Sequence, residues 1–295
     1  MKKFFGVTIA VLALIVLVAT ICVKEGIILN NSNNNNISIQ TKSESQKNAN
    51  DSKKGPSQQS NTVAPSDTTK KPEDKKPLEP GKDTAKQTLP GKNEPMVALT
   101  FDDGPHPQNT ILILNALKKY NGHATFFVVG NRAESFPSVI KQIYNNGNEI
   151  GNHSYSHKQL TTLNNDGINK ELNKTSDILQ NIIQRKPSII RPTYGSVNSR
   201  VKTCSGAPLI LWSIDTLDWK TKNKASTVNN VVGKVKDGDI VLMHDLYKPT
   251  AQAAEVIIQK LSSQGFKLVT IDELFAARGV KLESGHVYSS AYKKK

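Results

Sequence analysis

The sequence predicts an α/β fold in which parallel strands alternate with helices. From Met96 onward, short apolar or β-branched runs alternate with stretches of helical periodicity, and seven of the runs have the length of a strand. Ionisable residues directly follow five of these runs, as expected where the carboxyl ends of parallel strands form a site. Seven strands are too few for a regular eight-stranded barrel, so a distorted or incomplete barrel and an open doubly wound sheet both fit the pattern.

The individual elements follow from the position of apolar residues and of turn signals. The predicted strands are residues 96–101, 125–129, 149–151, 188–190, 209–214, 240–243 and 268–271. The predicted helices are residues 110–120, 137–145, 166–184, 197–202, 227–236 and 251–264. Ile111, Leu114 and Leu117 illustrate the helical spacing, because residues three apart share one face of a helix.

The chain before this region has a different composition. Residues 4–23 carry no charge, are long enough to cross the ~30 Å hydrocarbon layer, and follow Lys2 and Lys3. Residues 1–29 are therefore predicted to be an uncleaved, single-pass membrane anchor with the rest of the chain outside the cell; a cleaved signal peptide, which would give a secreted protein, is the alternative. Residues 30–92 are rich in Asn, Ser, Gln, Thr, Lys and Pro and are predicted to form a disordered linker. A folded domain of residues 93–280 and a basic C-terminal tail of residues 281–295 complete the predicted organisation.

The charge balance restricts the binding partners. The chain has a formal net charge of +14, and residues 96–295 contain 25 basic and 16 acidic residues, a net charge of +9. Such a balance favours polyanions, among them nucleic acids, anionic lipids and anionic wall polymers. Aromatic and basic residues are not interleaved, so we expect no nucleic-acid partner. Cys22 and Cys204 are not expected to form a disulfide, and a monomer is expected.

Two of the strand ends suggest a metal site. Asp102 and Asp103 follow the first predicted strand, and adjacent carboxylates require a cation, a basic side chain or a proton to compensate them. His153 and His157 follow the third strand and are four residues apart, a spacing that lets two imidazoles share a metal on a compact turn. Two histidines and one carboxylate would leave coordination positions open for water or substrate.

Three further strands also end in groups that can take part in catalysis. Taken singly, an H-x-x-x-H pair is often two surface histidines, an arginine often forms a surface salt bridge, and a tryptophan often belongs to the core. Jointly, their regular placement after successive strands favours a functional site over a set of solvated turns. These additional residues are Arg191, Tyr194, Asp215, Asp218, Trp219 and His244. Asp215 could instead cap a helix or support another site residue, so it is left outside the predicted site.

The ordered motifs resemble those of a known family. In chain order they are Thr-Phe-Asp-Asp-Gly at 100–104, His-Ser-x-x-His at 153–157, Arg-Pro-x-Tyr-Gly at 191–195, Asp-x-x-Asp-Trp at 215–219 and Leu-x-His at 242–244. The sequence resembles the polysaccharide deacetylases, the NodB-type domains of carbohydrate esterase family four, over roughly residues 93–280. The resemblance implies a distorted, incomplete (β/α) barrel of about seven parallel strands.

The resemblance also implies a division of labour between the two carboxylates. Asp103 would bind a divalent metal, usually Zn²⁺, together with His153 and His157. Asp102 would act as the general base on a water molecule, and Arg191 would pair with Asp102 and fix its orientation.

The remaining implied roles concern the leaving group and the substrate. His244 would be the general acid on the departing amine, and Asp218 would hydrogen-bond His244 and keep it protonated. The backbone N–H of Tyr194 would help to stabilise the tetrahedral oxyanion, while Trp219 and Leu242 would line a pocket for the acetyl methyl group.

One position departs from the family pattern. The third motif usually has a second proline before the tyrosine, and this chain has Thr193 there. Threonine permits backbone angles that proline forbids, so the Tyr194 N–H could be displaced and the oxyanion site weakened.

The sequence therefore predicts a metal-dependent hydrolase that removes N-acetyl groups from cell-wall polysaccharide, with N-acetylglucosamine of peptidoglycan as the expected substrate. A chitin-oligosaccharide deacetylase or an acetyl-xylan esterase with the same site is the alternative within the class. A non-catalytic wall-binding protein that retains the fold is the alternative from a different class.

Overall fold

The computed structural model describes residues 94–293, and these residues form an α/β domain with parallel strands. Every pair of strands in the sheets is parallel, as the alternation of apolar runs and helices predicted. The strands of this region are Met96–Asp102 (β1), Thr125–Val128 (β2), Glu149–Asn152 (β3), Leu209–Ile210 (β4), Ile214–Asp215 (β5), Asp239–His244 (β6), Lys267–Leu268 (β7) and Val287–Tyr288 (β8).

The main sheet has the strand order β3-β2-β1-β6-β5, and β7 pairs with the first residues of β1. Single bridges from Asn152 to Ile190 and from Ile190 to Leu209 continue the parallel pairing from β3 to β4. Because β4 and β5 lie on one short segment and β5 pairs with β6, the two ends of the sheet are connected through that segment. The result is an irregular ring of parallel pairings that includes β1.

Helices connect the strands within residues 94–293. Two of the longest, α4 and α8, pack beside the sheet and bury one apolar face each. The helices are Asn109–Lys119 (α1), Gly130–Ser135 (α2), Pro137–Asn145 (α3), Asn165–Ile183 (α4), Ser199–Ser205 (α5), Asp218–Thr221 (α6), Lys224–Asn229 (α7), Lys248–Ser263 (α8) and Ile271–Ala277 (α9), with 3₁₀ turns at Leu160–Thr162 and Thr193–Gly195.

Strand β1 is buried on both of its faces. Val97, Leu99 and Phe101 belong to the large core cluster under the helices, whereas Met96 and Ala98 belong to a second cluster on the opposite face. Alternate residues of a strand point to opposite faces, and a parallel strand buried on both sides therefore has a continuous apolar sequence. This is why residues 96–101 have no polar–apolar alternation.

Two predicted elements differ from the structure near their ends. The predicted strand 268–271 is wrong after its first residue, because β7 ends at Leu268 and α9 begins at Ile271. Thr270 and Glu273 form a reciprocal capping box that starts this helix. The predicted helix 227–236 is also displaced: α7 begins at Lys224, where the Asn223 side chain accepts a hydrogen bond from the Ser226 N–H, and it ends at Asn229.

Two predicted strands are reduced or divided. Residues 188–190 contribute only the bridges of Ile190, so the expected fourth strand is not an independent strand. Residues 209–214 were predicted as one strand but form β4 and the start of β5, because the segment changes partners between Ile210 and Ile214. Helices α2, α6 and α9 were not predicted.

The C-terminal segment is part of the domain. Residues 281–295 were predicted to be a basic tail, but β8 pairs with β4, and the Ala291 N–H donates to the Gly238 carbonyl over 2.8 Å. Ala291 is buried in the second core cluster. The packed domain therefore extends about eleven residues beyond the predicted boundary at 280.

The predicted membrane anchor (1–29) and linker (30–92) lie outside the described residues. Among residues 94–293, no helix combines the length and the apolar character that crossing a bilayer requires.

Candidate metal and catalytic site

The two adjacent aspartates are separated by a break in the strand. Asp102 is the last residue of β1, is only 3% exposed, and lies on the same face as Thr100. Asp103 has left the strand and adopts a left-handed backbone with φ of +70°. In a continuing strand, the side chains of two successive residues would point to opposite faces of the sheet. Because the backbone turns at Asp103, both carboxylates border the same cavity instead.

Arg191 holds Asp102 from inside the domain. Its Nη1 donates to Oδ1 of Asp102 over 2.8 Å and to Oγ1 of Thr100 over 2.7 Å. Its Nε and Nη2 donate to the carbonyl oxygens of Ile210 and Leu211. The arginine side chain is fully buried, with its guanidinium 4.1 Å from the centroid of the Phe127 ring. The predicted Arg191–Asp102 pair is therefore present as a buried and fully hydrogen-bonded contact.

The predicted metal ligands lie together. Asp103 Oδ1 is 3.0 Å from Nε2 of His157 and 3.5 Å from Nε2 of His153, and the three candidate ligand atoms all lie within 4.8 Å of one another. His153 Nδ1 donates to the Arg191 carbonyl oxygen over 2.6 Å. Because that bond fixes the proton on Nδ1, Nε2 is the nitrogen left to bind a metal. Within residues 94–293, this is the one group of such ligands close enough for an ion.

These residues fit a divalent cation. Oδ1 of Asp103 is buried and has no neighbouring hydrogen-bond donor other than the two imidazole rings. Two imidazoles and one carboxylate form a set of ligands that suits Zn²⁺ and related metals and leaves further coordination positions open.

The electrostatics of the metal-free site are dominated by this cluster. Burial opposes the ionisation of Asp103, but hydrogen bonds from His153 and His157 outweigh it and lower the pKa of that carboxyl. Burial likewise lowers the pKa of His153, while the negative charges of Asp102 and Asp103 outweigh it and raise the pKa overall.

His244 and Asp218 form a second ionisable pair. Oδ1 of Asp218 lies 2.9 Å from Nδ1 of His244, and Oδ2 accepts hydrogen bonds from the His244 N–H and the Thr250 hydroxyl. Burial lowers the pKa of His244, but the hydrogen bond and charge of the fully buried Asp218 outweigh it and raise the pKa to about 9. His244 is thus an imidazolium at neutral pH, and its Nε2–H is available to a substrate.

One cavity of about 550 Å³ collects these groups. Eight of the ten predicted site residues line it, and the other two, Arg191 and Asp218, lie behind Asp102 and His244. Tyr194 is 64% exposed and meets the His157 ring edge-on, whereas Trp219 is 47% exposed at the wall. Leu242 is buried in the same wall and supplies an apolar surface.

Four residues that line the cavity are outside the predicted set, Gly195 among them. Trp212 lies in the segment between β4 and β5, and Tyr247 follows β6 by three residues. Asp215 also lines the cavity but was left outside the predicted set; its carboxylate accepts the Leu217 N–H over 2.8 Å. The rule that the ends of parallel strands form the site would have identified Tyr247, since it had already identified His244.

Several residues of the site have strained backbones. Asp103, Ser154, His157 and Tyr194 all have φ between +58° and +70° although none is glycine. Such conformations cost roughly 1–3 kcal/mol each and persist only where surrounding contacts hold them. Their concentration around one cavity is typical of a preorganised functional site.

Comparison with known proteins agrees with this geometry. A family model described as polysaccharide deacetylase matches residues 90–206. The peptidoglycan-N-acetylmuramic acid deacetylase PdaC of Bacillus subtilis is 44% identical over 182 residues, which are 62% of this chain and 39% of PdaC. A peptidoglycan-N-acetylglucosamine deacetylase of Bacillus cereus is 38% identical over 190 residues, which are 62% of this chain and 69% of that protein.

Solved structures give the same result. The structure of PdaC matches with a TM-score of 0.63 and 42% identity, covering 64% of this chain and 94% of the solved one. A family 4 acetyl xylan esterase from Clostridium thermocellum, solved in complex with a cobalt ion, matches with a TM-score of 0.63 and 34% identity, covering 66% of this chain and 98% of the other.

The domain thus has an α/β fold of parallel strands with a candidate metal site, and the chain belongs to the polysaccharide deacetylase family. The resemblance inferred from the five motifs is confirmed. The chain spans about two fifths of the length of PdaC.

Proposed function

We propose that this protein is a metal-dependent hydrolase that removes N-acetyl groups from cell-wall polysaccharide and releases acetate. The proposal rests on the observation that one cavity contains both a group suited to act as a base and a group suited to act as an acid. A cluster of two histidines and a carboxylate lies beside Asp102, which is held by Arg191, and a histidine kept protonated by Asp218 faces the same space. Amide hydrolysis needs this combination of an activated water, a base and an acid.

Asp103, His153 and His157 would hold the metal. A divalent cation bound there, most simply Zn²⁺, would supply Lewis acidity toward a carbonyl oxygen and lower the pKa of water. The cobalt ion in the Clostridium thermocellum relative is consistent with a divalent transition metal in this family. Zinc is proposed because imidazole and carboxylate ligands suit it.

We assign the role of the base to Asp102. Its Oδ1 is occupied by Arg191, while Oδ2 is 3.7 Å from Nε2 of His153 and therefore borders the proposed metal site. A water beside that oxygen would transfer a proton to Asp102 as it attacks the acetyl carbon. Arg191 keeps the carboxylate oriented and compensates its charge.

We assign the role of the acid to His244. The imidazolium donates a proton to the amide nitrogen as the C–N bond breaks, so that acetate and a free amine are the products. Asp218 keeps this proton on the ring in the resting enzyme. The Tyr194 N–H would stabilise the oxyanion, while Leu242 and Trp219 would contact the acetyl methyl group and the sugar.

Peptidoglycan, with N-acetylglucosamine as the deacetylated unit, is the proposed substrate. PdaC and the Bacillus cereus relative are named as peptidoglycan deacetylases, although for two different sugars. The net charge of +9 over residues 96–295 suits an anionic wall polymer. The Lys222 ammonium lies 4.9 Å from the ring centroid of Tyr247, which places a cation at the wall of the cavity.

Acetate release is the deciding experiment. The full chain, loaded with zinc, is incubated with peptidoglycan, N-acetylglucosamine oligomers and acetylated xylan. We expect release from peptidoglycan, loss of release in His153→Ala, and unchanged release in His286→Ala, which removes an exposed histidine remote from the cavity. Faster release from acetylated xylan would instead support an esterase. No release from any substrate would overturn the enzymatic proposal and favour a non-catalytic wall-binding protein.

We also propose that residues 4–23 anchor the protein in the membrane with the domain outside the cell. The absence of charge over twenty residues supports this. Recovery of a peptide with intact Met1 from the membrane fraction is the expected result, whereas a mature N-terminus beyond residue 23 in the medium would support cleavage and secretion.

A further inference from the structure

The turn that carries His157 needs support from outside itself. Ser154 and His157 both have left-handed backbones, and the hydrogen bond from the His157 N–H to the Ser154 hydroxyl over 3.0 Å lies within the turn. That bond alone leaves the Tyr155 and Ser156 amides without partners inside the turn. We propose that Glu171 and Thr193 are positioning residues that clamp this turn from two sides and set the metal affinity of the site. The inference rests on the metal site of the proposed function.

Glu171 holds the first side of the turn. Its Oε2 accepts the backbone N–H groups of Tyr155 over 2.9 Å and of Ser156 over 2.7 Å, and its Oε1 accepts the Ser156 hydroxyl over 2.7 Å. The residue belongs to α4, whose backbone is fixed by its own helical hydrogen bonds and by the Asn164 cap. Glu171 is 8% exposed. A rigid helix therefore fixes the residues immediately before His157.

Thr193 holds the other side. Its hydroxyl donates to the carbonyl oxygen of Lys158, the residue after His157, over 2.6 Å. Thr193 is fully buried and precedes Tyr194, whose ring meets the His157 ring with centroids 4.9 Å apart. Proline at position 193 has no hydroxyl and could not make this bond. The departure from the family motif thus adds a contact to the metal-ligand turn.

Glu171 is not itself a metal ligand. Both of its oxygens are occupied by donors of the turn, it does not line the cavity, and it is not among the grouped ligand atoms. Its effect on a metal would therefore act through the placement of His157 Nε2 beside Asp103. Residues that orient metal ligands in this way typically change metal affinity by roughly 10–100-fold when they are removed.

Zinc affinity, measured by competition with a chromogenic chelator, tests the role of Glu171. We expect Glu171→Ala to weaken zinc binding by roughly 10–100-fold. Glu171→Gln should stay within about threefold of the natural protein, because its amide oxygen can accept the two N–H groups and its NH₂ can donate to the Ser156 hydroxyl. Affinity in Glu171→Ala equal to that of the natural protein would overturn the proposal.

Paired variants test Thr193 in the same assay. Thr193→Val keeps the shape but removes the hydroxyl, and we expect zinc binding to weaken by roughly 3–10-fold; Thr193→Ser keeps the hydroxyl and should bind as the natural protein does. Equal zinc affinity of the Thr193→Val and Thr193→Ser variants would show that the Thr193 hydroxyl does not support the turn.

A destabilised control separates positioning from general loss of stability. Leu179→Ala creates a cavity in the same helix, away from the turn, and should lower the melting temperature without changing zinc affinity. A loss of affinity in Leu179→Ala as large as that in Glu171→Ala would overturn the proposal.

Amide hydrogen exchange in the metal-free protein gives a readout independent of both zinc and acetate. The Ser156 amide should exchange at least about tenfold faster in Glu171→Ala than in the natural protein, since its acceptor is gone. Unchanged protection would overturn the clamp even if the natural protein bound no zinc. Absence of acetate release in the natural protein, with zinc bound and Ser156 exchange accelerated as expected in Glu171→Ala, would instead contradict the proposed function alone. Absence of zinc binding in the natural protein would overturn the proposed effect on metal affinity together with the proposed function.

Discussion

His153 donates its Nδ1 proton to the backbone carbonyl of Arg191, and the side chain of Arg191 donates to Asp102. One residue therefore orients a proposed metal ligand with its main chain and the proposed base with its side chain. The two halves of the site share a single buried support, and changes at position 191 should affect stability as well as chemistry.

Replacing Arg191 tests the buried pair. Arg191→Met leaves the Asp102 carboxylate buried without its partner, so we expect the free energy of unfolding to fall by about 3–5 kcal/mol in urea titrations. The double variant Arg191→Met/Asp102→Asn removes the uncompensated charge and should be more stable than Arg191→Met alone. A double variant less stable than the single one would contradict this account.

The adjacent carboxylates should have separable functions. Asp103→Ala removes a proposed ligand and should weaken zinc binding by at least about 100-fold, whereas Asp102→Asn should retain zinc and lose roughly 10²–10⁴-fold in kcat. Zinc competition and acetate release, measured on the same preparations, check both. Similar losses of zinc affinity in the two variants would refute the division of labour.

The pH profile should report on His244. Its pKa is raised to about 9, so the acid remains protonated through neutral pH, and kcat/KM should decline as pH rises through that value. Asp218→Asn removes the charge that raises this pKa, and the alkaline limb should move down by at least about one pH unit.

Asp215→Asn is the matched control for this profile, because Asp215 lines the cavity without a hydrogen bond to His244. Its alkaline limb should stay in place. A limb that does not move in Asp218→Asn would show that another group supplies the proton.

Zinc binding should depend on pH through the ligands. The pKa of His153 is raised in the metal-free site, so below that pKa a metal must displace a proton from the ring. We expect zinc affinity to increase with pH through the region above 6.5 and to fall on acidification, with proton release detectable by calorimetry in two buffers. A chelator should abolish acetate release, and added zinc should restore it.

The catalytic constellation could be predicted because it follows a local rule. Asp102, Asp103, His153 and His244 lie at or just beyond the end of an apolar run, His157 follows His153 by four residues, and the ends of parallel strands meet at one edge. The family motifs then suggested a role for each residue. The structure brings the residues within contact distance, and their roles stay predictions.

Contacts that depend on distant parts of the chain could not be read in this way. Glu171 lies midway along a helix, where a glutamate is an ordinary residue, and its partners become visible only when α4 packs beside the His157 turn. Strands β4 and β8 have two residues each, too few for any periodic pattern. The start of α9 was different: its capping box at Thr270 and Glu273 is a local signal that went unused.

The last strand has a practical consequence for making the protein. Beyond the Arg278 side chain, which donates to the Ala291 carbonyl, the chain returns to cover Gly238 and the edge of β4. A recombinant fragment trimmed at residue 280 would leave that edge uncovered, and an unpaired strand edge invites association between molecules. A recombinant fragment that ends after Tyr292 and carries any purification tag at its N-terminal side would keep β8 paired with β4.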